Sequence, residues 1–343
     1  PGGHIVIVAI ADVAHYVRPG SMLDREAYTR GNSVYFPDRV VPMLPEALST
    51  DLCSLREGED RAALAVRMHF DAQGVKRHHK FERVFMRSAA RLSYADAQSA
   101  FDGKPNARTK PIATKIMAPL WAAYMAVAKA RDKRGPLDLD LPERRVILDE
   151  KGNVSSIAIR ERLESMRLVE EFMIQANVAA AETLEKARQP VLYRVHEKPS
   201  FEKLTAFADY LRAISLSFTK GQIVKPAAFN RILARAKGTP NEEVMNEIVL
   251  RSQSQAIYAP DNVGHFGLNL MRYAHFTSPI RRYADLVVHR ALVAGLNLGE
   301  GGLSPREASQ ISQIAAHISI TERRAMAAER DSVERYVAAY MED

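Results

Sequence analysis

The chain has 343 residues, 47% of them apolar and 26% charged, which is enough to bury a large core and excludes a disordered chain. A formal net charge of +7 and a pI near 9.4 favour a polyanionic partner, nucleic acid ahead of an anionic membrane surface. The single cysteine, Cys53, excludes an intrachain disulfide framework and a cysteine-based zinc cluster, as in a reducing cytoplasm.

No apolar run approaches the roughly 18 residues needed to span a bilayer, and no charged-then-apolar leader precedes the first strand, so a soluble cytoplasmic protein without membrane association is expected. The chain begins Pro1-Gly2-Gly3, without methionine, and enters a strand at once. A fragment of a longer protein is the expectation that follows.

Residues 4–10 are apolar on both alternating faces, as in a strand covered on both sides. Residues 62–70 and 75–87 read as a long antiparallel hairpin around Asp71-Ala72-Gln73-Gly74. Its second arm carries Lys76, Arg77, His78, His79, Lys80, Arg83 and Arg87 on both faces, so it is partly exposed, either as a solvated edge or as a surface facing nucleic acid. Residues 101–111 form a polar loop, and 110–134 an amphipathic helix that stops before Gly135-Pro136.

A second hairpin spans 145–160 around Asp149-Glu150-Lys151-Gly152. Residues 164–187 keep Val169, Met173, Ala176, Ala180 and Leu184 on one stripe of a core helix. A further flexible loop is expected at 219–226. The last helix opens with the capping-box sequence Ser304-Pro305-Arg306-Glu307. With no internal repeat or low-complexity tract, one continuous α+β domain accounts for the pattern.

Two features of this layout bear on chemistry. In the run His275-Phe276-Thr277-Ser278-Pro279-Ile280-Arg281-Arg282-Tyr283-Ala284-Asp285, Ser278 reads as an N-cap and Pro279 as the first helical residue. That puts two arginines beside the positive end of a helix dipole, a conflict that a bound anion, a phosphate foremost, relieves. The plainer reading pairs Arg281 with Asp285 and leaves Arg282 in solvent. In the last helix, Ile311, Ile314, Ile318, Ala325, Val333, Tyr336 and Tyr340 form an apolar stripe, and at about 100° per residue Glu329 falls in its middle. An inward carboxylate is either a structural ion-pair partner or part of a site, and Glu322 on the same stripe has the same two readings.

These segments resemble the catalytic domain of the ribonuclease II/ribonuclease R (RNB) family of exoribonucleases. The resemblance runs from Ile10-Ala11-Asp12-Val13-Ala14-His15-Tyr16-Val17 through Asn32-Ser33-Val34-Tyr35-Phe36-Pro37, Val41-Pro42-Met43-Leu44-Pro45 and Leu52-Cys53-Ser54-Leu55. It continues through Tyr193-Arg194-Val195-His196-Glu197-Lys198-Pro199, Gly264-His265-Phe266-Gly267-Leu268 and the Ser-Pro-Ile-Arg run to Ala328-Glu329-Arg330-Asp331. The Ser-Pro-Ile-Arg-Arg-Tyr and Val-His-Glu-Lys-Pro runs place it nearest the ribonuclease R branch.

The resemblance implies an α+β RNB-type catalytic domain covering 1–343, its curved, mixed or antiparallel sheet packed with helices that enclose an RNA channel. It implies processive hydrolysis of single-stranded RNA from the 3′ end to nucleoside 5′-monophosphates, with Mg²⁺, by a monomer. It assigns the phosphate-holding arginine to Arg281, the catalytic glutamate to Glu329 and the aromatic clamp on the terminal nucleotides to Tyr35. It gives Arg282 and His196 to RNA contact; for His196, a satisfied core histidine fits as well. The family's metal-binding aspartate cluster is expected before residue 1, and its flanking OB-folds outside the chain at both ends, so this stretch alone is expected to be inactive. Asp12 reads as a turn residue and not as a metal ligand. Two other functions remain open: an RNA-binding family member that does not cut, and a generic basic nucleic-acid-binding helical protein.

Overall fold

A computed structural model of the chain describes residues 2–141, 144–159, 161–214, 216, 218 and 224–342. Strand β1 (His4–Ala11) leads through two short helices, α1 (Val13–Tyr16) and α2 (Met22–Arg30), and a small hairpin, β2 (Val34–Tyr35) with β3 (Val40–Val41), to the long hairpin β4 (Asp60–Phe70) and β5 (Lys76–Arg87). Helices α3 (Tyr94–Phe101) and α4 (Ala118–Arg134) precede a third hairpin, β6 (Arg144–Leu148) with β7 (Val154–Ile159), and the helix α5 (Glu164–Lys186). Strand β8 (Tyr193–Val195) is followed by α6 (Phe201–Ala213), α7 (Pro226–Ala236) and α8 (Glu242–Ser252). Strand β9 (Ile257–Ala259), α9 (Tyr283–Gly295), the short α10 (Pro305–Ser309) and the long α11 (Ile311–Glu342) complete the chain. The paired strands among the described residues are all antiparallel, so the fold is α+β as expected.

The main sheet has the order β1-β4-β5. Strand β1 runs against β4 from His4↔Phe70 to Ala11↔Ala63, and the hairpin β4-β5 runs from Asp60↔Arg87 with an irregularity between His69 and Phe70. Val6, Val8 and Ile10 face the core, whereas Ile5 and Ile7 are 58% and 52% exposed. The expected cover on both faces of β1 is therefore not found among the described residues: it is an outer strand with α4 and α5 on one side only. Strand β5 is the other outer strand, and its partial exposure agrees with its charges.

Other expectations shift for local reasons. The stretch Lys110–Arg134 is, by length and composition, long and apolar enough to cross a bilayer, because its alanines raise the mean hydropathy despite Lys115 and Lys129. It is built as a 3₁₀ turn, a π turn and then α4, with Ala123, Tyr124 and Val127 buried in the core. The expected loop at 101–111 is an internally bonded turn in which the Asn106 amide donates to Thr109 Oγ1 at 3.0 Å and the Thr109 amide donates back to Asn106 Oδ1 at 3.0 Å. The hairpin expected to reach Arg160 is seen to Ile159; Arg160, like residues 219–223 of the second expected loop, lies outside the described residues. The capping box of Ser304 and Glu307 starts only α10, and α11 begins afresh at Ile311.

The main core gathers β1, β4, α5 and α9, with Leu64, Met68, Leu184, Phe276, Leu286 and Leu292 fully buried. A second apolar cluster joins α6, α7 and α8 around Phe207, Leu211, Phe229, Met245 and Val249. Within the main core lies a charge: the side chain of Arg290 on α9 has no solvent exposure. Its guanidinium lies 2.8 Å from Asp24 Oδ1 of α2, is hydrogen-bonded to Glu307 of α10, and donates to the Val17 carbonyl at 2.6 Å. Replacing it strands two buried carboxylates, so Arg290→Leu is expected to lower the unfolding free energy by about 3–5 kcal/mol. The urea midpoint measures this; a midpoint equal to wild type would show that Asp24 and Glu307 need no such partner.

Candidate active site

The Ser278-Pro279-Ile280-Arg281 segment is not the first turn of a helix. The amides of Arg281 and Arg282 donate to the Ser278 carbonyl at 3.2 and 3.0 Å, forming a tight turn, and α9 begins only at Tyr283, with Arg282 in the extended N-cap position (φ −137°, ψ 123°). A competing set of backbone bonds explains the delay. The Arg281 carbonyl accepts from the Ser33 amide at 3.0 Å, the Tyr283 amide donates to the Gly31 carbonyl at 2.9 Å, and Asn32 bridges Arg282 in antiparallel fashion. The extended backbone at Arg282 is incompatible with helical dihedrals there.

Asp285, in the first turn of α9, secures this arrangement. Its Oδ1 accepts from the Ser278 amide at 2.7 Å and from Arg282 Nη2 at 2.8 Å, while Oδ2 accepts from Arg282 Nε at 2.7 Å. Burial disfavours the Arg282 charge, but Asp285 outweighs it and raises the pKa. The plainer sequence reading thus has its arginines reversed. Arg282 is the paired one, and exposed Arg281 makes no side-chain hydrogen bond or ion pair among the described residues.

The chain reaches this turn by way of Gly31, which ends α2 with φ +73°. A Cβ there would lie 2.0 Å from Thr321 Oγ1 on α11, so only glycine fits both the left-handed backbone and the contact. Two residues on, the Ser33 amide meets Arg281; two further, the Tyr35 amide donates to Glu329 Oε1 of α11 at 2.7 Å. Alternate amides leave the same edge of an extended strand, roughly 7 Å apart. Arg281 and Glu329 are therefore held side by side along one strand edge, and the same strand carries the Tyr35 ring, 47% exposed. Glu329 is half-buried, and its Oε2 accepts no hydrogen bond among the described residues.

Beneath this edge the second carboxylate is structural. Glu322 pairs with Arg194 Nη1 at 2.6 Å, and Arg194 lies 4.7 Å above the Tyr258 ring. Tyr258 in turn shares a 2.8 Å hydrogen bond with His275 Nδ1. His196 has both ring nitrogens occupied: Nε2 faces the Ser254 carbonyl at 2.8 Å, and Nδ1 accepts from the Gly267 amide at 2.9 Å. It fastens the 264–267 loop, where the structure favours the core-histidine reading over RNA contact. Asp12 caps α1 through the His15 amide and forms a two-point pair with Arg83, as its turn reading required. No group of three or more His, Cys, Asp or Glu side chains among the described residues is placed to hold a metal ion.

Sequence reasoning brought Arg281, Tyr35 and Glu329 forward, and the structure brings them together. It missed Asp285 as the partner of Arg282, although the three-residue spacing was visible, and it missed Arg194 and Tyr258, whose partners lie far along the chain.

The RNB domain family model matches residues 1–297. The chain is 40% identical to ribonuclease R of Escherichia coli (strain K12), covering 100% of this chain and 43% of the relative, and 40% identical to ribonuclease R of Aquifex aeolicus (strain VF5), covering 99% and 48%. It thus spans about half the length of the curated relatives it matches. Among solved structures, Mycoplasma genitalium RNase R in complex with ribose-methylated single-stranded RNA superposes with a TM-score of 0.91 at 29% identity, covering 98% of this chain and 53% of that one. Yeast Ssd1, a pseudonuclease, shares the fold at a TM-score of 0.77 and 20% identity, covering 97% and 40%.

The histidines around the site carry a pH signature. Burial pushes His265 down to about 3 and His275 well below its ordinary value, with Arg194 adding to both effects, and burial lowers His196 as well. The unfolded chain, whose histidines titrate near about 6.5, then binds more protons as pH falls, so stability present above that pH is lost on acidification. The urea midpoint is expected to fall between pH 7.5 and 5. A midpoint constant over that range would contradict neutral burial of these rings.

Proposed function

The chain belongs to the RNB-domain family, and from that premise we propose that it is the catalytic core of a ribonuclease R-like exoribonuclease. Its substrate is the 3′ end of single-stranded RNA, which it shortens processively by hydrolysis to nucleoside 5′-monophosphates. The observation that carries this reading is the shared strand edge, on which Ser33 holds the Arg281 turn and Tyr35 holds Glu329. A guanidinium for the phosphate, a stacking surface and a hydrogen-bond acceptor thereby fall within reach of one terminal nucleotide.

In this reading the Arg282–Asp285 pair braces the turn while Arg281 binds the phosphodiester to be cut. Water attacks phosphorus, the bond to the 3′ oxygen of the penultimate nucleotide breaks, and that oxygen leaves with a proton as the new 3′ hydroxyl. The 5′ phosphate departs on the released nucleotide. Arg281 stabilises the negative charge that builds on the phosphoryl oxygens. Glu329, its Oε1 fixed by the Tyr35 amide, uses Oε2 to orient the attacking water. The exposed Tyr35 ring stacks on a terminal base, a contact that any base provides.

Nucleases of the RNB family generally depend on a divalent metal, and Mg²⁺ is the expected ion here. The described carboxylates do not by themselves fit it: Glu329 belongs to no group of three or more possible ligands among the described residues, and Asp12 is taken by Arg83.

Three substitutions in the full-length protein test the reading on a 5′-labelled single-stranded RNA. Glu329→Ala is expected to slow turnover by roughly 10²-fold or more, with RNA affinity near wild type; an unchanged rate removes Glu329 from the mechanism. Arg281→Ala is expected to weaken both binding and turnover. Because Tyr35 reaches Glu329 through its backbone amide, Tyr35→Ala deletes the stacking ring and leaves that anchor in place. Its limit product is expected to be longer than that of wild type, and an identical end product rejects the clamp. Full-length protein that leaves a 3′-tailed RNA uncut in Mg²⁺, while still binding it, would support the non-cutting alternative.

A further inference from the structure

His275 opens the arginine-bearing run, and none of the roles above uses it. Its ring stands edge-on to Tyr258 and Tyr273, each 5.6 Å away, at 70° and 78° to the two planes. The two tyrosines fix its orientation. Its Nδ1 lies 2.8 Å from the Tyr258 hydroxyl, and that hydroxyl has no other hydrogen-bond partner among the described residues. The hydroxyl proton therefore points to Nδ1, and the ring proton resides on Nε2. Nε2 itself meets no partner among the described residues, and it is not sealed from solvent, since the side chain is only half-buried.

The charges around this N–H have one sign left over. Arg282, Arg194, His265 and Arg281 all act on His275, and all oppose a second proton on the ring. The two nearby carboxylates are engaged, Asp285 by Arg282 and Glu322 by Arg194. Tyr258 and Tyr273 are phenols kept protonated by burial. An open donor in an electropositive setting, with no free carboxylate beside it, is suited to an anionic oxygen. Of the three arginines that act on it, Arg281 is the one placed at the proposed phosphate site.

We propose that His275 Nε2–H donates a hydrogen bond to a non-bridging phosphodiester oxygen of the RNA strand, at or next to the phosphate bound by Arg281. This rests on the RNA-cleaving reading above. Burial and the surrounding arginines keep the imidazole neutral through the working pH range, so the contact contributes direction without adding charge. Tyr258 acts on it as a positioning residue, since its hydroxyl selects the tautomer that leaves the proton on Nε2.

The test measures equilibrium binding of a single-stranded RNA to the full-length protein in EDTA, across a salt series and at pH 5.5 and 8. His275→Ala is expected to weaken binding about tenfold, the worth of one hydrogen bond to a charged group. The loss is expected to be the same at both pH values and to leave the salt slope unchanged, whereas Arg281→Ala lowers that slope by about one. His275→Gln, which keeps an N–H donor, is expected to recover part of the affinity, and Tyr258→Phe to lose part of it. Should His275→Ala fail to fold, the Gln and Phe variants carry the same comparison. Wild-type affinity in His275→Ala overturns the proposal, and so does a loss that grows at pH 5.5 with a reduced salt slope, the mark of an imidazolium. If Arg281→Ala is also silent, the RNA-cleaving reading fails with it; if Arg281→Ala weakens binding and His275→Ala does not, this inference fails alone.

Discussion

Arg290 is the constraint from which the site follows. A guanidinium taken wholly out of water costs several kcal/mol unless its charge and donors are met. Here three stretches of chain meet the charge and the two Nη donors: Asp24 in α2, Glu307 in α10 and the Val17 carbonyl after α1; Nε has no partner among the described residues. Each partner is itself committed. Asp24 accepts from the Gly20 amide at 2.7 Å and from the Tyr283 hydroxyl at 2.8 Å, and Glu307 closes the capping box of α10. Helix α9 can therefore occupy only one position against α2, and the chain that leaves α2 at Gly31 arrives beside residues 281–283. The strand-edge pairing that unites Arg281, Tyr35 and Glu329 is a consequence of that docking.

Elements whose pattern is long and regular were legible in the sequence. The hairpin over 62–87 and the core helix over 164–187 stand within two residues of their expected limits, because alternation and helical periodicity act through neighbours a few residues apart. The errors arose where a distant segment decides the outcome. Ser278-Pro279 carries a sound helix-start signal, but pairing with residues 31–33 prevails over it. The apolar face of β1 bearing Ile5 and Ile7 looked like core, yet whether a sheet face is covered depends on which elements pack there, and local composition does not encode that. For Glu329 the inward stripe was readable, while its partner lies 294 residues away in sequence.

The same distinction separates the two glutamates of α11. Glu322 and Glu329 are seven residues apart, on one stripe of one helix, and sequence offered the same pair of readings for both. Their surroundings differ. Glu322 meets a guanidinium that is itself stacked on Tyr258, which gives it a complete ionic partner and a structural place. Among the described residues Glu329 meets only a backbone amide, which fixes one oxygen without neutralising the carboxylate. An acceptor that is oriented but not neutralised is the kind of group that chemistry can use.

Adjacent arginines divide their labour in a similar way. Asp285 has two oxygens, both of which bind Arg282, and one of which also holds the Ser278 amide. It has little left for a second guanidinium. The turn that ends at the extended Arg282 sets that side chain against Asp285 and leaves Arg281 exposed. Substituting lysine at 282 would keep the charge and lose the two-point fork, and with it the rigidity of the turn that presents its neighbour. The net charge of +7 gathers polyanions without regard to position. Position is set instead by pairing, and in this turn Arg281 is the guanidinium without a side-chain partner among the described residues.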